Sequence, residues 1–401
     1  MSNLKGKNIL LGVTGGISIY KSCELVRALI KEGANIDIVM TPNAEKFVSK
    51  MTFQSLSGRK VYTNMYDSDE SSISHIDLAD NSDLIVICPA TANFISKYAN
   101  GIADTLLLNI LIATKSNVLI CPAMNVNMFT NPLIQENINK LSNLGIEFVE
   151  PGVGDLACGW EGKGRLADID KILMSIKKKV SNSDLAKEKV LITCGATREY
   201  LDPVRFLSNP SSGKMGFCLA NEFYSRGAEL EIVSGYVEEN FELFPKYYKC
   251  ESSEEMQQHI IKELDSYSVI IKSAAVGDYK FKEISKKKIK KEMKQITFEM
   301  EATVDILEYI GSKKKTEQIL VGFSAETDNV IENSLKKIQK KNLDFIVAND
   351  VSEKDSGFGK NSNFSFLISK DGKTKELGLI SKELLSKEIA DKVKEIRLSS
   401  N

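Results

Sequence analysis

The sequence predicts an α/β protein built from two doubly wound, mainly parallel-sheet (Rossmann-like) domains, the second with an added β-hairpin. Three observations predict it. An apolar strand breaks into a glycine-containing turn twice, once before Thr14-Gly15-Gly16-Ile17-Ser18 and once before Cys194-Gly195-Ala196-Thr197. After each opening, short β-rich runs alternate with helical patterns, the order expected of a parallel sheet covered on both faces. Between the two series lies a polar, apolar-poor stretch, 177–189, which places the domain boundary at 1–180 and 181–401.

In the first half, strands are expected at 9–13, 36–40, 84–88, 118–121 and 147–150. Residues 20–31 carry apolar side chains at helical spacing and stop at Gly33; 131–143 form another helix, with Gly145 after it. Ligands of such sheets bind at the carboxyl ends of the strands. The loops there are Gly15-Gly16-Ile17-Ser18, Thr41-Pro42-Asn43-Ala44, Pro89-Ala90-Thr91-Ala92-Asn93 and Pro122-Ala123-Met124-Asn125. Small, hydroxyl- and amide-bearing loops suit an uncharged hydrogen-bonding pocket for a flat ligand with a phosphate, and glycine before a helix N-terminus favours an anion. Residues 153–165 hold four glycines, the single Trp and Cys158, and read as a mobile flap.

The second half restarts with a strand at 190–193. A serine-rich loop, 207–214, precedes an amphipathic helix to about residue 226. Strands follow near 230–233, 269–272, 319–322 and 345–348, and a hairpin at 364–368 and 374–377 turns on Asp371-Gly372. A final helix begins near residue 381.

Composition narrows the function. The chain has 401 residues, 42% hydrophobic and 27% charged, with a net charge of −1. No global basic field argues for nucleic acid. The apolar runs are too short or too polar at their flanks to span a bilayer, and the N-terminus has no apolar signal core, so a cytoplasmic location is expected. Seven scattered cysteines without a Cys-x-x-Cys pair argue against a disulfide framework or a zinc site. His75 and His259 are the two histidines, so imidazole chemistry has few candidates.

Several motifs resemble known families. Gly15-Gly16-Ile17-Ser18, His75-Ile76-Asp77-Leu78, Pro89-Ala90-Thr91-Ala92-Asn93 with Lys97 and Gly101-x-Ala103-Asp104, Pro122-Ala123-Met124-Asn125-x-x-Met128 and Leu156-Ala157-Cys158-Gly159 resemble the flavin-dependent cysteine decarboxylases, the HFCD flavoproteins. Asn209-Pro210-Ser211-Ser212-Gly213-Lys214-Met215-Gly216, Ala274-Ala275-Val276-Gly277-Asp278-Tyr279, the lysine run 286–291, Phe323-Ser324-Ala325-Glu326-Thr327 and Lys341-Asn342-Leu343-Asp344 resemble phosphopantothenoylcysteine synthetase. Together they resemble the bacterial bifunctional phosphopantothenoylcysteine decarboxylase/phosphopantothenate–cysteine ligases of coenzyme A biosynthesis.

For the first half, the resemblance implies FMN held by Gly15, Gly16, Ser18, Thr41, Asn43, Pro89, Ala90, Thr91, Ala92, Asn93, Ala103, Asp104 and Met124. It makes His75 a base or proton partner during thiol oxidation, Asn125 the donor to the substrate carboxylate, and Cys158 a flap residue that helps protonate and reduce the enethiol intermediate. Without it, His75 reads as a surface residue at a helix start, and Met124 and Met128 as core.

For the second half, the resemblance implies a CTP- and Mg²⁺-dependent ligase with its metal ligands unassigned. Asn209 stabilises an acyl-nucleotide intermediate, and Lys288 stabilises negative charge as the cysteine amine attacks. Ser212, Gly213, Lys214, Ala275, Asp278, Lys288, Phe323, Lys337 and Lys341 contact the nucleotide. On sequence alone the Lys337/Lys341 pair, one helical turn apart, reads first as a solvent-facing pair.

The implied partners are small molecules (4′-phosphopantothenate, cysteine and CTP), with no nucleic acid or membrane. The implied assembly is a homo-oligomer, a dodecamer combining trimers of the flavin domain, with FMN at a subunit interface, and dimers of the ligase domain. Two rival readings are a different cysteine decarboxylase with an unrelated partner domain, and a flavoprotein that binds FMN without turnover.

Overall fold

The computed structural model describes residues 4–65, 75–155, 160–290, 296–352, 357 and 359–399. The chain folds as two compact units, residues 1–182 and 183–401.

The first unit runs β1 (Asn8–Val13), α1 (Ile19–Lys31), β2 (Asn35–Met40), α2 (Lys50–Ser57), β3 (Val61–Tyr62), α3 (His75–Asp80), β4 (Leu84–Ala90), α4 (Ala92–Ala99), α5 (Leu106–Ala113), β5 (Asn117–Pro122), α6 (Val126–Phe129), α7 (Pro132–Asn143), β6 (Glu147–Phe148), β7 (Gly152–Asp155), β8 (Glu161–Arg165) and α8 (Ile169–Val180). Its six-stranded sheet has the order β3-β2-β1-β4-β5-β6 with every neighbouring pair parallel. Strand sidedness explains the unbroken apolar runs. Ile9, Leu11, Val13, Leu84, Val86 and Cys88 pack against α1, α2 and α8 on one face. Leu10, Ile85 and Ile87 pack against α3, α4, α5 and α7 on the other. A strand buried on both faces has no polar side to show.

Helix ends fall where the sequence marks them. Gly33 and Gly145 adopt φ of +83° and +87°. Around Gly33 the amides of Gly33 and Ala34 return to the carbonyls of Ile30 and Leu29, and the same pair of bonds forms at Gly145. This is the glycine-ended stop that satisfies the last carbonyls of a helix. Asn342, at φ +50°, ends a helix of the second unit in the same way.

The second unit runs β9 (Lys189–Cys194), β10 (Arg198–Tyr200), β11 (Phe206–Ser208), α9 (Lys214–Ser225), β12 (Glu229–Ser234), β13 (Tyr247–Lys249), α10 (Ser253–Glu263), β14 (Val269–Lys272), β15 (Tyr279–Phe281), β16 (Met300–Ala302), α11 (Ile306–Lys313), β17 (Ile319–Glu326), α12 (Val330–Lys340), β18 (Phe345–Asp350), β19 (Ser362–Ser369), β20 (Thr374–Ser381) and α13 (Lys382–Ser399). Its sheet has the order β13-β12-β9-β14-β17-β18-β19-β20. The strands are parallel from β13 to β18, and β19 and β20 are the antiparallel hairpin. Helices α10, α11 and α12 cover one face, and α9 and α13 pack together on the other.

The segment 153–165, expected as a flap, begins and ends in strands, with 156–159 outside the described residues. Its described parts form the antiparallel pair β7–β8. A side chain at Gly164 would meet the Met124 carbonyl oxygen at 2.4 Å, and one at Gly162 would meet Val126 at 2.7 Å. These glycines let the hairpin lie against the loop after β5.

Candidate functional site

Both sheets reverse their strand order beside the first strand, between β1 and β4 and between β9 and β14. Ligands of open α/β sheets bind at the carboxyl ends of the strands at such a switch point. A cavity lies at each.

The first has a volume of about 840 Å³. Thr14, 2% exposed, ties its floor together. Its hydroxyl donates to the Pro89 carbonyl at 2.7 Å and accepts from the Thr91 amide at 3.1 Å. Gly15 has no room for a side chain, because a Cβ there would lie 2.6 Å from the Cβ of Asn43. The loops after β1, β2 and β4 thus meet backbone to backbone. Ser18 lines the cavity at the start of α1 without a side-chain cap. Thr91 caps α4 by accepting from the Phe94 amide.

Asn125 stands at the cap of α6, where its Oδ1 accepts from the Asn127 amide at 2.8 Å. That bond fixes the amide plane and leaves Nδ2 as the donor end. The Met124 amide donates to the Gly164 carbonyl at 3.0 Å, joining the loop after β5 to β8. Three cations line the wall: Lys21, which pairs with Asp168 at 3.9 Å; Lys97, which pairs with Asp104; and Arg165.

Of the residues assigned to the flavin, Gly15, Gly16, Ser18, Thr41, Asn43, Thr91, Ala92, Asn93 and Met124 line this cavity, as does Asn125. Pro89 and Ala90 do not; they are the end of β4 beneath it. Ala103 and Asp104 also stand outside, the first accepting from Asn109 and the second holding Lys97. His75 opens α3, half-buried and away from the cavity lining. Cys158 lies outside the described residues. Tyr20, Lys21 and Arg165 join the lining without having been singled out in sequence, because their signals are only a helix face and one arm of a hairpin.

FMN fits the residues present. The Gly15 cradle, the helix start without a side-chain cap and the cations accept a phosphate. Ile17, Phe94, Leu108 and Met128 supply apolar surface for a flat ring.

The second cavity has a volume of about 630 Å³. Asn209 donates through Nδ2 to the carbonyls of Ala275 and Val276, each at 3.2 Å, docking the serine-rich loop on the loop after β14. Gly213, at φ +80°, begins α9 without a side-chain cap. Lys214 donates to Asn361 at 2.6 Å. On the opposite wall Lys337 pairs with Glu326, and Lys341 pairs with Asp305 at 2.6 Å.

Asn209, Ser212, Gly213, Lys214, Ala275, Asp278, Phe323, Lys337 and Lys341 all line this cavity. Lys288 does not. It is exposed on a loop pinned by the Ser285 amide to the Leu201 carbonyl and by the Ile289 amide to Asp202. Among the polar lining residues that were not read from the sequence are Lys272, Asn349, Asn363 and Lys382. Asn363 is 4% exposed and donates to Asn349, while its Oδ1 has no partner among the described residues. Burial pushes the Lys382 ammonium below the ordinary lysine range.

Residues 1–181 match the family described as Flavoprotein, and residues 185–396 match the DNA/pantothenate metabolism flavoprotein C-terminal domain. The coenzyme A biosynthesis bifunctional protein CoaBC of Bacillus subtilis is 43% identical over 395 residues, 97% of each chain. The protein of the same name from Borreliella burgdorferi is 40% identical over 96% of this chain and 98% of its own. That from Escherichia coli is 38% identical over 98% and 97%. The chain belongs to the CoaBC family of bifunctional coenzyme A biosynthesis enzymes.

Proposed function

We propose that the two cavities carry two consecutive steps of coenzyme A biosynthesis, in the reverse of their order along the chain. The observation that carries this reading is the pair of switch-point cavities, each lined by the motif set of a different activity. In the second unit, the carboxylate of 4′-phosphopantothenate attacks the α-phosphorus of CTP with Mg²⁺ present and releases pyrophosphate. The amine of cysteine then displaces CMP from the acyl-cytidylate. Asn209 holds the acyl-nucleotide, and Lys288 offsets the charge that builds as the amine attacks.

In the first unit, the product 4′-phosphopantothenoylcysteine loses CO₂ to give 4′-phosphopantetheine. FMN, when bound, supplies the two-electron oxidation of the substrate thiol and its later reversal, so the net change is non-redox. Residues around Gly15, Thr91 and Ser18 hold its phosphate and ring. Asn125 donates to the substrate carboxylate without protonating it, so the group can still leave as CO₂. His75 takes a proton from the thiol, and Cys158 returns one.

His75 and Lys288 stand outside the cavities lined by their own chain. That supports an assembly in which neighbouring copies complete the sites, for which we propose the dodecamer, acting in the cytoplasm. No helix among the described residues is long and apolar enough to cross a membrane.

The test is one incubation of the full chain with 4′-phosphopantothenate, cysteine, Mg²⁺ and either CTP or ATP, read by mass spectrometry. The expected product is 4′-phosphopantetheine with CTP, from protein that shows flavin absorbance. Accumulation of phosphopantothenoylcysteine would remove the decarboxylase assignment. Product with ATP in place of CTP would correct the nucleotide, and no product with either would overturn the reading.

A further inference from the structure

The ligase reading leaves Lys272, a half-buried cation of the second cavity, without a task. Lys272 closes β14, a strand whose other residues, Val269, Ile270 and Ile271, are fully buried. Side chains alternate along a strand, so Lys272 shares the sheet face of Ile270, the face covered by α10, α11 and α12. Lys272 lines the cavity. Three charged groups face it from the surrounding elements: Asp305 at the start of α11, Lys341 after α12 and Asp278 after β14.

The charge balance on this wall singles it out. Lys337 carries Glu326 as its counter-ion, and Lys341 carries Asp305. Lys272 has no carboxylate within ion-pair distance among the described residues. An ammonium half withdrawn from water without a counter-ion is costly, and its desolvation pushes Lys272 down to about 8, against the pull of Asp305 and with the push of Lys341. An incoming oxyanion supplies the missing charge where little solvent screens it. Across the cavity, the uncapped start of α9 offers amides to the same kind of group.

The geometry points to Lys272 as a phosphate-contacting residue of this cavity, donating from Nζ to a phosphoryl oxyanion of the nucleotide or of the phosphorylated acid that is joined to cysteine. The inference rests on the ligase reading. Lys337 and Lys341 arrive already paired, so Lys272 is the charge on this wall that a ligand can claim without breaking an ion pair. The sign of the pH effect follows. Below about pH 8 the ammonium is present and affinity is full; above it the empty cavity loses the proton and affinity declines. Binding on the alkaline side therefore takes up a proton.

The experiment titrates the full chain, as wild type, Lys272→Met and Lys272→Arg, with CTP and separately with 4′-phosphopantothenate, by calorimetry near pH 7 and about pH 9.5. At pH 7, Lys272→Met is expected to weaken one of the two ligands by about ten- to a hundredfold and spare the other, which names the source of the phosphate. Lys272→Arg, charged at both pH values, is expected to bind that ligand better than wild type on the alkaline side. This second arm holds even where Lys272→Met fails to fold. Equal affinities of wild type and Lys272→Met for both ligands, or a wild type that does not weaken above pH 8 relative to Lys272→Arg, would overturn the inference alone. A wild type that binds neither ligand would overturn it together with the ligase reading.

Discussion

At the scale of single residues, the most exposed prediction concerns Asn125. Its Oδ1 serves α6, accepting from the Asn127 amide, and its Nδ2 is the donor proposed for the substrate carboxylate. Asn125→Asp keeps the capping oxygen and replaces the donor with a negative charge. The expected outcome is intact folding, retained flavin colour and a loss of decarboxylation of about a hundredfold or more, the scale for removing a preorganised donor. Full decarboxylase turnover in the yellow variant would sink the carboxylate role. Residues such as Thr91 and Asn125 were legible because each closely follows an apolar strand, where a parallel sheet places its ligands, whereas Asn209 was read from its motif alone. Lys272 was not, because a lysine ending Val269-Ile270-Ile271 reads as the solvent end of a strand. Asn363 and Lys382 were hidden for another reason. They reach the cavity from the hairpin and the last helix, and only the sheet order beyond β18 brings them there.

At the scale of elements, α13 and α9 are joined to the start of the second unit by one arginine. Arg226 donates from Nε and Nη2 to the two oxygens of Asp184 at 2.8 and 2.7 Å and from Nη1 to Asp391 at 2.6 Å. The Arg226 guanidinium holds the Asp184 carboxyl down to about 2, with Lys394 adding to it. A depressed folded-state value gives stability that is complete above the ordinary aspartate range and is lost as pH falls toward 2. Asp184→Asn is therefore expected to cost about 2 kcal/mol near neutral pH, with the deficit shrinking below about pH 4. Chemical denaturation across that range checks it, and a deficit that stays constant down to pH 2 would refute the linkage. The long elements were readable because helix and strand periods differ over many residues. The two-residue β3, the three-residue β13 and the three-residue ribbons β10–β11 and β15–β16 are too short to express a period. Of the glycines in 153–165, Gly164 meets the Met124 carbonyl and Gly162 the Val126 side chain, a requirement for space that glycine content alone does not separate from freedom of motion.

At the scale of the whole molecule, the two units hold separate cores, each closed by its own helices. Expression of 1–182 and 183–401 as separate chains is expected to give two folded proteins, the first yellow and the second competent to bind nucleotide. Absorbance and a cooperative thermal transition for each would check this; a second unit that aggregates without the first would contradict it. The α/β class followed from alternation, since a parallel pair of strands needs a crossover and the crossovers at 20–31, at 131–143 and before residue 226 were visible as helices.

The clamp at the back of the second unit has one more consequence. Arg397, in the last turn of α13, grips both oxygens of Glu188 at 2.9 and 3.0 Å and also the Ser268 carbonyl. Asp184 meets Lys394 at 2.9 Å. The two ends of this unit thus lie side by side where the strands begin, while the cavity opens where they finish. Topologically the unit is nearly a ring. Its ends can be joined by a short linker and new ones opened in the Asp371-Gly372 turn, a circular permutation that rewrites the order of the chain and leaves every strand neighbour of the cavity where it was.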